Sequence, residues 1–573
     1  MNTQLRFFLV ACLTVSSPAA AQWNPNPAQN LAVRDQTGTG EVTPRTAPAP
    51  NGGTWVAWFE TVPATNYQLR LQLLNVNGQA QLGTAGLLVS NQPQGSALYR
   101  YDLKADNLGN AVLAFQDVRS AGTNQCVVYK ISPTGQQLWG LNGIPLLDAT
   151  ASSGLSPVIG ITTGNNVVIG WTAGGTANAT HSTKWVPMLK YSAAGVALWA
   201  APVRLQDPLK RYSRAAFVAV PGSEDVVAQY VEETGSGLGV STVYAQRFDA
   251  TGTALWPAAV RVSDKTIGFA SFPEQLPDGN GGFYTMLGSG NPANASLGDV
   301  YAQRILADGG QPWGITGTEV LTGTATARFG GSLQWLAARN EVWTVVNELN
   351  SSQSNSGFTV QRFDPATGTR QLGSSGTPVQ AVSPNYYSAQ SLRNTGTGLI
   401  ITYTENTSAT NRALWATKVN YLAQPAFPVA TPNILLSSVA SPKLNFSTLP
   451  FANGQLVNVW ADQRTDDGIY AQTISNNGAL GVLATRVGQL AVQSLEISPN
   501  PGTAPLLHLT LPHAQVLEVQ VRDLTGRVVW QQRTPAGPGP ATFALDAAGL
   551  AAGLYLIETS VDDTTCRSRW VKP

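Results

Sequence analysis

The chain has 573 residues, with 34 Lys and Arg against 33 Asp and Glu, so its formal net charge is +1. That balance excludes a strongly basic nucleic-acid binder and a polybasic membrane-surface protein. Only 12% of residues are charged and 43% are hydrophobic, which excludes a disordered polyelectrolyte; 56 Gly and 36 Pro point instead to many short strands joined by turns.

Residues 1–21 read as a secretory signal peptide: Arg6 is the positive flank, residues 7–15 the apolar stretch, and Ala19-Ala20-Ala21 the small residues before cleavage. The stretch is too short to span a bilayer, and no later run approaches 18 apolar residues, so no membrane-spanning segment is expected. Cys12 lies in this segment, leaving Cys126 and Cys566 far apart, too few for a disulfide framework. Residues 22–34 read as a linker.

From residue 35 a repeat sets in. A short apolar strand ending in a bulky residue recurs, as in Trp55-Val56-Ala57-Trp58, Val112-Leu113-Ala114-Phe115, Val168-Ile169-Gly170-Trp171 and Asn458-Val459-Trp460. The end positions are 58, 115, 171, 230, 287, 346, 403 and 460, a spacing of 56 to 59 residues. A second strand follows, best seen as Tyr244-Ala245-Gln246-Arg247 and Tyr301-Ala302-Gln303-Arg304. It leads to a turn glycine (Gly252, Gly309) and a tryptophan (Trp256, Trp313); the seventh copy, around Trp415, lacks the glycine. Short outer strands come next, such as Val203-Arg204-Leu205 and Val260-Arg261-Val262, and turn signals such as Asp278-Gly279 precede each bulky strand.

Each unit thus supplies about four antiparallel strands, and one such sheet cannot bury both faces alone. Radial stacking hides each face against the next. The expected fold is all-β: a β-propeller of eight four-stranded blades over residues 35–484, with seven blades closing the ring as the variant. A β-solenoid is the other architecture, at shorter repeats than these. The repeat resembles a bacterial family of degenerate propeller-like repeats, with Trp460-Ala461-Asp462-Gln463-Arg464 followed by Ile469-Tyr470-Ala471-Gln472 as its clearest copy.

The period stops near Leu483. After a linker at 485–494, about seven short strands in residues 495–573 indicate a small Ig-like β-sandwich. Here Ser498-Pro499-Asn500-Pro501, the hairpin around Gly526 in Val521-Arg522-Asp523-Leu524-Thr525-Gly526-Arg527, the strand Gly553-Leu554-Tyr555-Leu556-Ile557 and the basic end at 567–572 stand in order. This segment resembles the type A C-terminal sorting domain of type IX (Por) secretion, with Pro499, Asn500, Pro501, Gly526, Gly553 and Tyr555 as the motif positions. The resemblance implies a Bacteroidota protein exported through the periplasm and across the outer membrane. The type IX machinery would be its partner, and its destination the cell surface or the medium.

Motifs for chemistry are sparse. His181 alone lies in the propeller, where a loop histidine is expected to be solvent-exposed; His508 and His513 lie in the sorting domain. There is no nucleophile elbow, zinc motif or phosphate loop, so no catalytic, cofactor-binding or metal residue is assigned. Glu232-Glu233 and Asp466-Asp467 are the adjacent carboxylates, and Asp117–Arg119 and Asp462–Arg464 read as turn-stabilising ion pairs. Trp58, Trp171 and Trp460 read as core between blades, whereas Trp185, Trp335 and Tyr386-Tyr387 are candidates for a surface role. The loops at 173–184, 232–241, 289–297 and 350–356 vary between copies. These features favour a binding or adhesion scaffold for a glycan or protein ligand. The alternative is a carbohydrate-active enzyme with a carboxylate pair at the propeller centre.

Overall fold

The computed structural model describes residues 23–573, apart from 63–65, 95–99, 121, 235–240, 269–274, 292–293, 324–325, 407, 409, 428–431, 465, 482–494, 512–514, 537–538 and 562–563. The expected signal peptide at 1–21, the linker at 485–494 and His513 lie outside the described residues. The chain divides into two units, at 1–483 and 484–573.

The first unit is a β-propeller of eight sheets. Seven are contiguous in sequence, each with its strands in the order inner, second, third, outer. Blade 1, for example, is Glu41–Pro48, Thr54–Val62, Asn66–Leu74 and Leu87–Ser90. The eighth takes Lys443–Thr448, Gln455–Gln463 and Asp467–Ser475 from the end of the repeat, and its outer strand, Leu31–Arg34, from the beginning. Leu31 pairs with Ala471 and Arg34 with Ile469. The segment expected as a linker at 22–34 therefore ends in a strand. The reason is geometric: the repeat ends three strands into the last blade, and its free edge needs a partner. All eight blades belong to one closed ring.

The second strand of each blade is apolar on both faces because both are covered. Trp58 packs with Val33, Val457 and Val459 between blades 1 and 8. Trp171 packs with Val112, Cys126 and Val128 between blades 2 and 3, and Trp460 with Ile400 and Leu436 between blades 7 and 8. The recurring bulky position is inter-blade core.

The turn tryptophans stitch neighbours together. The indole N–H of Trp199 donates to Ala250 O at 2.9 Å, that of Trp256 to Ala307 O at 3.1 Å and that of Trp313 to Pro365 O at 2.9 Å, each in the next blade's turn. The turn glycine lies against the ring. Gly252 has φ +87°, and a Cβ there would stand 2.5 Å from Val203 Cγ2 and 3.1 Å from Trp199 Cε2. So the glycine answers two demands, a left-handed backbone and a ring in van der Waals contact. In the seventh copy Ala423 takes the position at φ 61°. Trp23 performs the same service for blade 8: its indole donates to Val76 O at 2.8 Å, and its ring lies against Gly78.

The Tyr-Ala-Gln-Arg strand has an equally physical basis. Its glutamine amide closes the blade's own outer turn, as Gln303 does on Gly314 O (2.8 Å) and Gln361 on Gly373 O (2.9 Å). In blade 8 Gln472 reaches Asn24 O (3.0 Å) in the N-terminal segment. Its arginine reaches forward, from Arg247 to Ala307 O (3.1 Å) and from Arg304 to Pro365 O (2.9 Å).

The second unit has two sheets, of three and four strands. The first is Glu496–Ser498, Leu506–Leu511 and Gly539–Ala544; the second is Gln515–Arg522, Val528–Ala536, Gly553–Val561 and Thr564–Lys572. Leu507, Val519, Val521, Ile557 and Trp570 fill the space between them.

Two outcomes follow for the stitching. Trp23→Ala is expected to destabilise the propeller by about 3–5 kcal/mol, as an internal Trp199→Ala would, because it leaves the same kind of cavity. Gly252→Ala is expected to cost at least about 1–2 kcal/mol for the left-handed backbone alone, with the overlap on Val203 added. Urea denaturation followed by tryptophan fluorescence measures both; a Trp23→Ala loss within experimental error of zero would contradict ring closure through the N-terminal segment.

Candidate functional site

The adjacent carboxylates proposed from sequence do not form an acid–base pair. Glu232 is bound by Lys210 at 3.0 Å, whereas Glu233 meets Lys184 at 2.9 Å and accepts from Ser213 Oγ at 2.6 Å. Asp467 accepts from Gln463 Nε2 at 2.6 Å and Asp466 from the Gly38 N–H at 2.9 Å. Asp117 and Arg119 form a 2.7 Å ion pair, as do Asp462 and Arg464 at 3.1 Å. Asp462 also accepts from Trp460 Nε1 at 2.8 Å and lies 3.6 Å from a buried Lys443. Burial draws the Lys443 ammonium down to about 8, with Asp462 opposing.

A pair that sequence reading missed stands where the ring closes. Glu41 and Glu60 are direct cross-strand partners in blade 1, both buried. Glu60 is held by Arg34 of the closing strand (2.8 Å) and by Arg70 (2.7 Å). Burial, with the Glu60 charge adding, raises the Glu41 carboxyl to about 7 against a hydrogen bond from Thr39 and the pull of Arg34. Only the register of the two strands brings these acids together, 19 residues apart in a chain with no motif around them.

The open site lies between blades 2 and 3. A cleft of about 290 Å³ runs between the start of Thr123–Ile131, the connection at 146–152 and the start of Ser153–Ile161. Thr123, Asn124, Ser152 and Ser153 form its polar rim, and Cys126, Leu146 and Trp171 its floor. Its one acid, Asp148, is saturated: Arg204 donates twice (2.7 and 3.0 Å), Trp185 Nε1 once (3.1 Å), and Thr150 through both N–H (3.0 Å) and Oγ1 (2.8 Å). Burial opposes ionisation there, but these donors outweigh it and hold the carboxyl well below the ordinary range. Cys126 is a free, buried thiol whose pKa burial pushes up, which removes it as a nucleophile at neutral pH.

His181 supports this wall and, against the expectation of a solvent-exposed loop residue, is buried. Its ring stacks on Trp185 with centroids 3.8 Å apart. Nδ1 lies 2.8 Å from Ser182 O and Nε2 2.7 Å from Asn178 Nδ2, so Nδ1–H donates and Nε2 accepts. The loop at 173–184 folds inward because these two bonds satisfy the imidazole that burial takes from water. Trp185, expected as a surface candidate, is fully buried as the prop of Asp148. Trp335 also packs inside, against Tyr284.

In the sandwich, five of the six motif residues gather around the last strand. Ser498-Pro499 and Asn500-Pro501 are cis peptides. Asn500 clamps the chain end, donating to Arg569 O (2.7 Å) and accepting from the Val571 N–H (2.9 Å). Gly553 opens its strand opposite Lys572, and Tyr555 stacks on Trp570 while its hydroxyl donates to Ala551 O at 2.8 Å. Gly526 sits apart, at φ 82° in the turn before Val528–Ala536. His508 lies half-buried between Ser498 Oγ (2.8 Å) and Thr542 Oγ1 (3.1 Å).

Fold and sites together define a β-propeller carried ahead of a β-sandwich tail. Residues 496–572 match the family model of the secretion system C-terminal sorting domain, so the tail is a type IX sorting domain and the protein is exported, to the cell surface or beyond it. No curated protein matches the chain. Among solved structures it is similar to a protein of unknown function from Dyadobacter fermentans DSM 18053 (8% identity, 78% of this chain, 98% of that one, TM-score 0.36). It is similar also to a polysaccharide lyase of family PL25, an ulvan lyase, bound to -[GlcA(1-4)Rha3S]- (12%, 80%, 97%, 0.40). A third is an α-L-arabinanase of Penicillium chrysogenum complexed with arabinobiose (13%, 61%, 99%, 0.34).

Two outcomes test these assignments. Because the folded pKa of Glu41 lies above its unfolded value, the folded state holds the proton more tightly. Its contribution is therefore fully present below about 4.5 and is lost as pH rises to about 7. Urea denaturation across that window is expected to show Glu41→Gln gaining stability over the parent as pH rises; parallel curves would refute the assignment. Asn500→Ala removes two hydrogen bonds to the last strand and is expected to cost the sandwich about 1–2 kcal/mol, read as an earlier sandwich transition in calorimetry with the propeller transition unmoved.

Proposed function

We propose that the propeller is an extracellular binding module and that the cleft between blades 2 and 3 receives its ligand, a glycan or a protein. One observation carries the reading: the cleft is open and built, with a rim of neutral hydroxyl and amide groups over an apolar floor. Its only carboxylate is committed to five donors. Such a site can recognise and hold, since pockets of this kind combine apolar area with a few fixed polar groups. Among its described lining residues, none offers a carboxylate or imidazole free to take or give a proton. The sorting tail delivers the module to where such a ligand would be met.

A carbohydrate-active enzyme is the second reading, and the Glu41–Glu60 pair, with one carboxyl raised to about 7, is what favours it. Burial of both acids counts against it, since a general acid must reach its substrate.

The purified full-length protein, applied to arrays of immobilised polysaccharides and of surface proteins and screened in parallel for hydrolase and lyase products, separates the two. Saturable binding that Asn124→Trp abolishes by filling the cleft mouth is the expected result. Product release that Glu41→Gln abolishes would replace the binding reading with the enzymatic one.

A further inference from the structure

Resting on the cleft reading above, we infer that the ligand is a neutral carbohydrate, bound through its hydroxyls to the rim and the floor between blades 2 and 3. Three features of the site select this chemistry. First, no net charge is available to a ligand. Asp148, the one charged residue in the cleft's described lining, is ion-paired with Arg204 of blade 3, and Arg119 of blade 2 is spent on Asp117 and on Asn142 O (2.7 Å). A uronate or phosphate would enter without a cation to meet it, and an ammonium without a free anion, each at the desolvation cost of an unpaired charge.

Second, an orphaned donor stands behind the floor. Gln116 is fully buried and pairs directly across the strands with Cys126, so both side chains lie on the face turned to blade 3. Its Oε1 accepts from the Ser156 N–H at 3.3 Å, which orients the amide, and its Nε2 has no partner among the described residues. An unpaired buried N–H is costly to keep. Because Ala111–Ser120 lies inside Thr123–Ile131 in the blade, this donor stands on the axis side of Cys126, behind the residues that line the cleft. A hydroxyl oxygen reaching it past the Cys126 side chain would satisfy it, and a hydroxyl can accept there while donating elsewhere.

Third, the remaining lining offers both halves of what a sugar ring presents. Asn124 and Ser153, half-buried at the rim, supply an amide and a hydroxyl. Leu146 and Trp171 supply apolar surface for the C–H face. An apolar peptide side chain would leave the Gln116 amide unmet, and a purely polar ligand would waste the floor. The saturated Asp148–Trp185–His181 arrangement holds this wall in place without offering a charge.

Isothermal titration calorimetry on the full-length protein gives a direct readout of occupancy. Xylo-, manno-, cello- and malto-oligosaccharides, oligogalacturonate and a set of neutral peptides are titrated in turn. At least one neutral oligosaccharide is expected to bind saturably. Asn124→Ala and Gln116→Met should each weaken that binding about threefold to tenfold, the equivalent of one net hydrogen bond. Thermal unfolding identifies any variant that fails to fold, and Ser153→Ala then takes its place. Tighter binding of oligogalacturonate, or binding of peptides and of no saccharide, overturns the neutral-sugar inference and leaves the cleft reading standing. Saccharide binding that the Asn124→Trp variant retains in full, or no binding by any of these ligands, overturns both.

Discussion

A four-stranded blade with two apolar faces is unstable in isolation, and every other property of this propeller follows from how that surface is covered. The second strand of each blade carries the constraint. Trp58, Trp171 and Trp460 are buried because the neighbouring sheet lies against them, not because anything in their own blade encloses them. At roughly 1.5–3 kcal/mol for each large side chain taken from water, the repeat is worth a great deal as a ring and little as a strip with two bare ends. Closure is thus the energetic core of the fold. It falls to residues 23–34, which supply a strand to blade 8, a ring to Gly78, a carbonyl to Gln472 and a guanidinium to Glu60. The charges at this seam have a consequence of their own. Arg34 is shared between two acids, 2.8 Å from Glu60 and 3.9 Å from Glu41, and burial raises the Glu41 carboxyl to about 7 against its pull.

Much of this was legible in the sequence. The spacing of the bulky strands gave the number of blades, and the Gly-x-x-x-Trp turns gave the hairpins on which they close. The sandwich strand 506–511 and the motif order from Pro499 to Tyr555 were readable because short alternating strands and turn residues are local signals. What was not legible was whatever depends on pairing at long range. Leu31-Ala32-Val33-Arg34-Asp35 has the pattern of the outer strands Val203-Arg204-Leu205-Gln206-Asp207 and Val260-Arg261-Val262-Ser263-Asp264, and Trp23 stands ahead of the first copy. The eighth copy lacks both features. Read together, those two facts place the N-terminal segment in the last blade. Read locally, the segment is polar and Pro-rich and passes for a linker.

The candidate cleft was less legible still, and for a physical reason. None of its residues belongs to a motif, since recognition by amides, hydroxyls and apolar surface requires no particular spacing along the chain. Histidine 181 shows the same limit from the other side. A lone histidine in a Gly- and Thr-rich loop reads as solvated, yet Asn178, three residues away, and the Ser182 carbonyl satisfy both ring nitrogens and let the loop fold onto Trp185. Asn178 in turn is fixed by accepting from Thr180 and from the His181 N–H, so its amide group faces the ring.

Backbone strain gives a last discriminant between architecture and site. In the inner strands Thr43, Ser156, Arg214 and Asn445 all have φ near +50°, inside bulges where two residues oppose one. Left-handed non-glycine residues beside a channel ordinarily point to function. Here the opposed residues are Trp58, Trp171, Tyr230 and Trp460, the same bulky position each time. A strain that recurs with the repeat belongs to the packing of the repeat, since four blades with different loops cannot all be shaped for one ligand. By the same logic a functional site should appear where the pattern is broken. The wall built from Asp148, Arg204, Trp185 and His181 has no counterpart in the bulges or the turn stitches, and it stands beside the open cleft between blades 2 and 3.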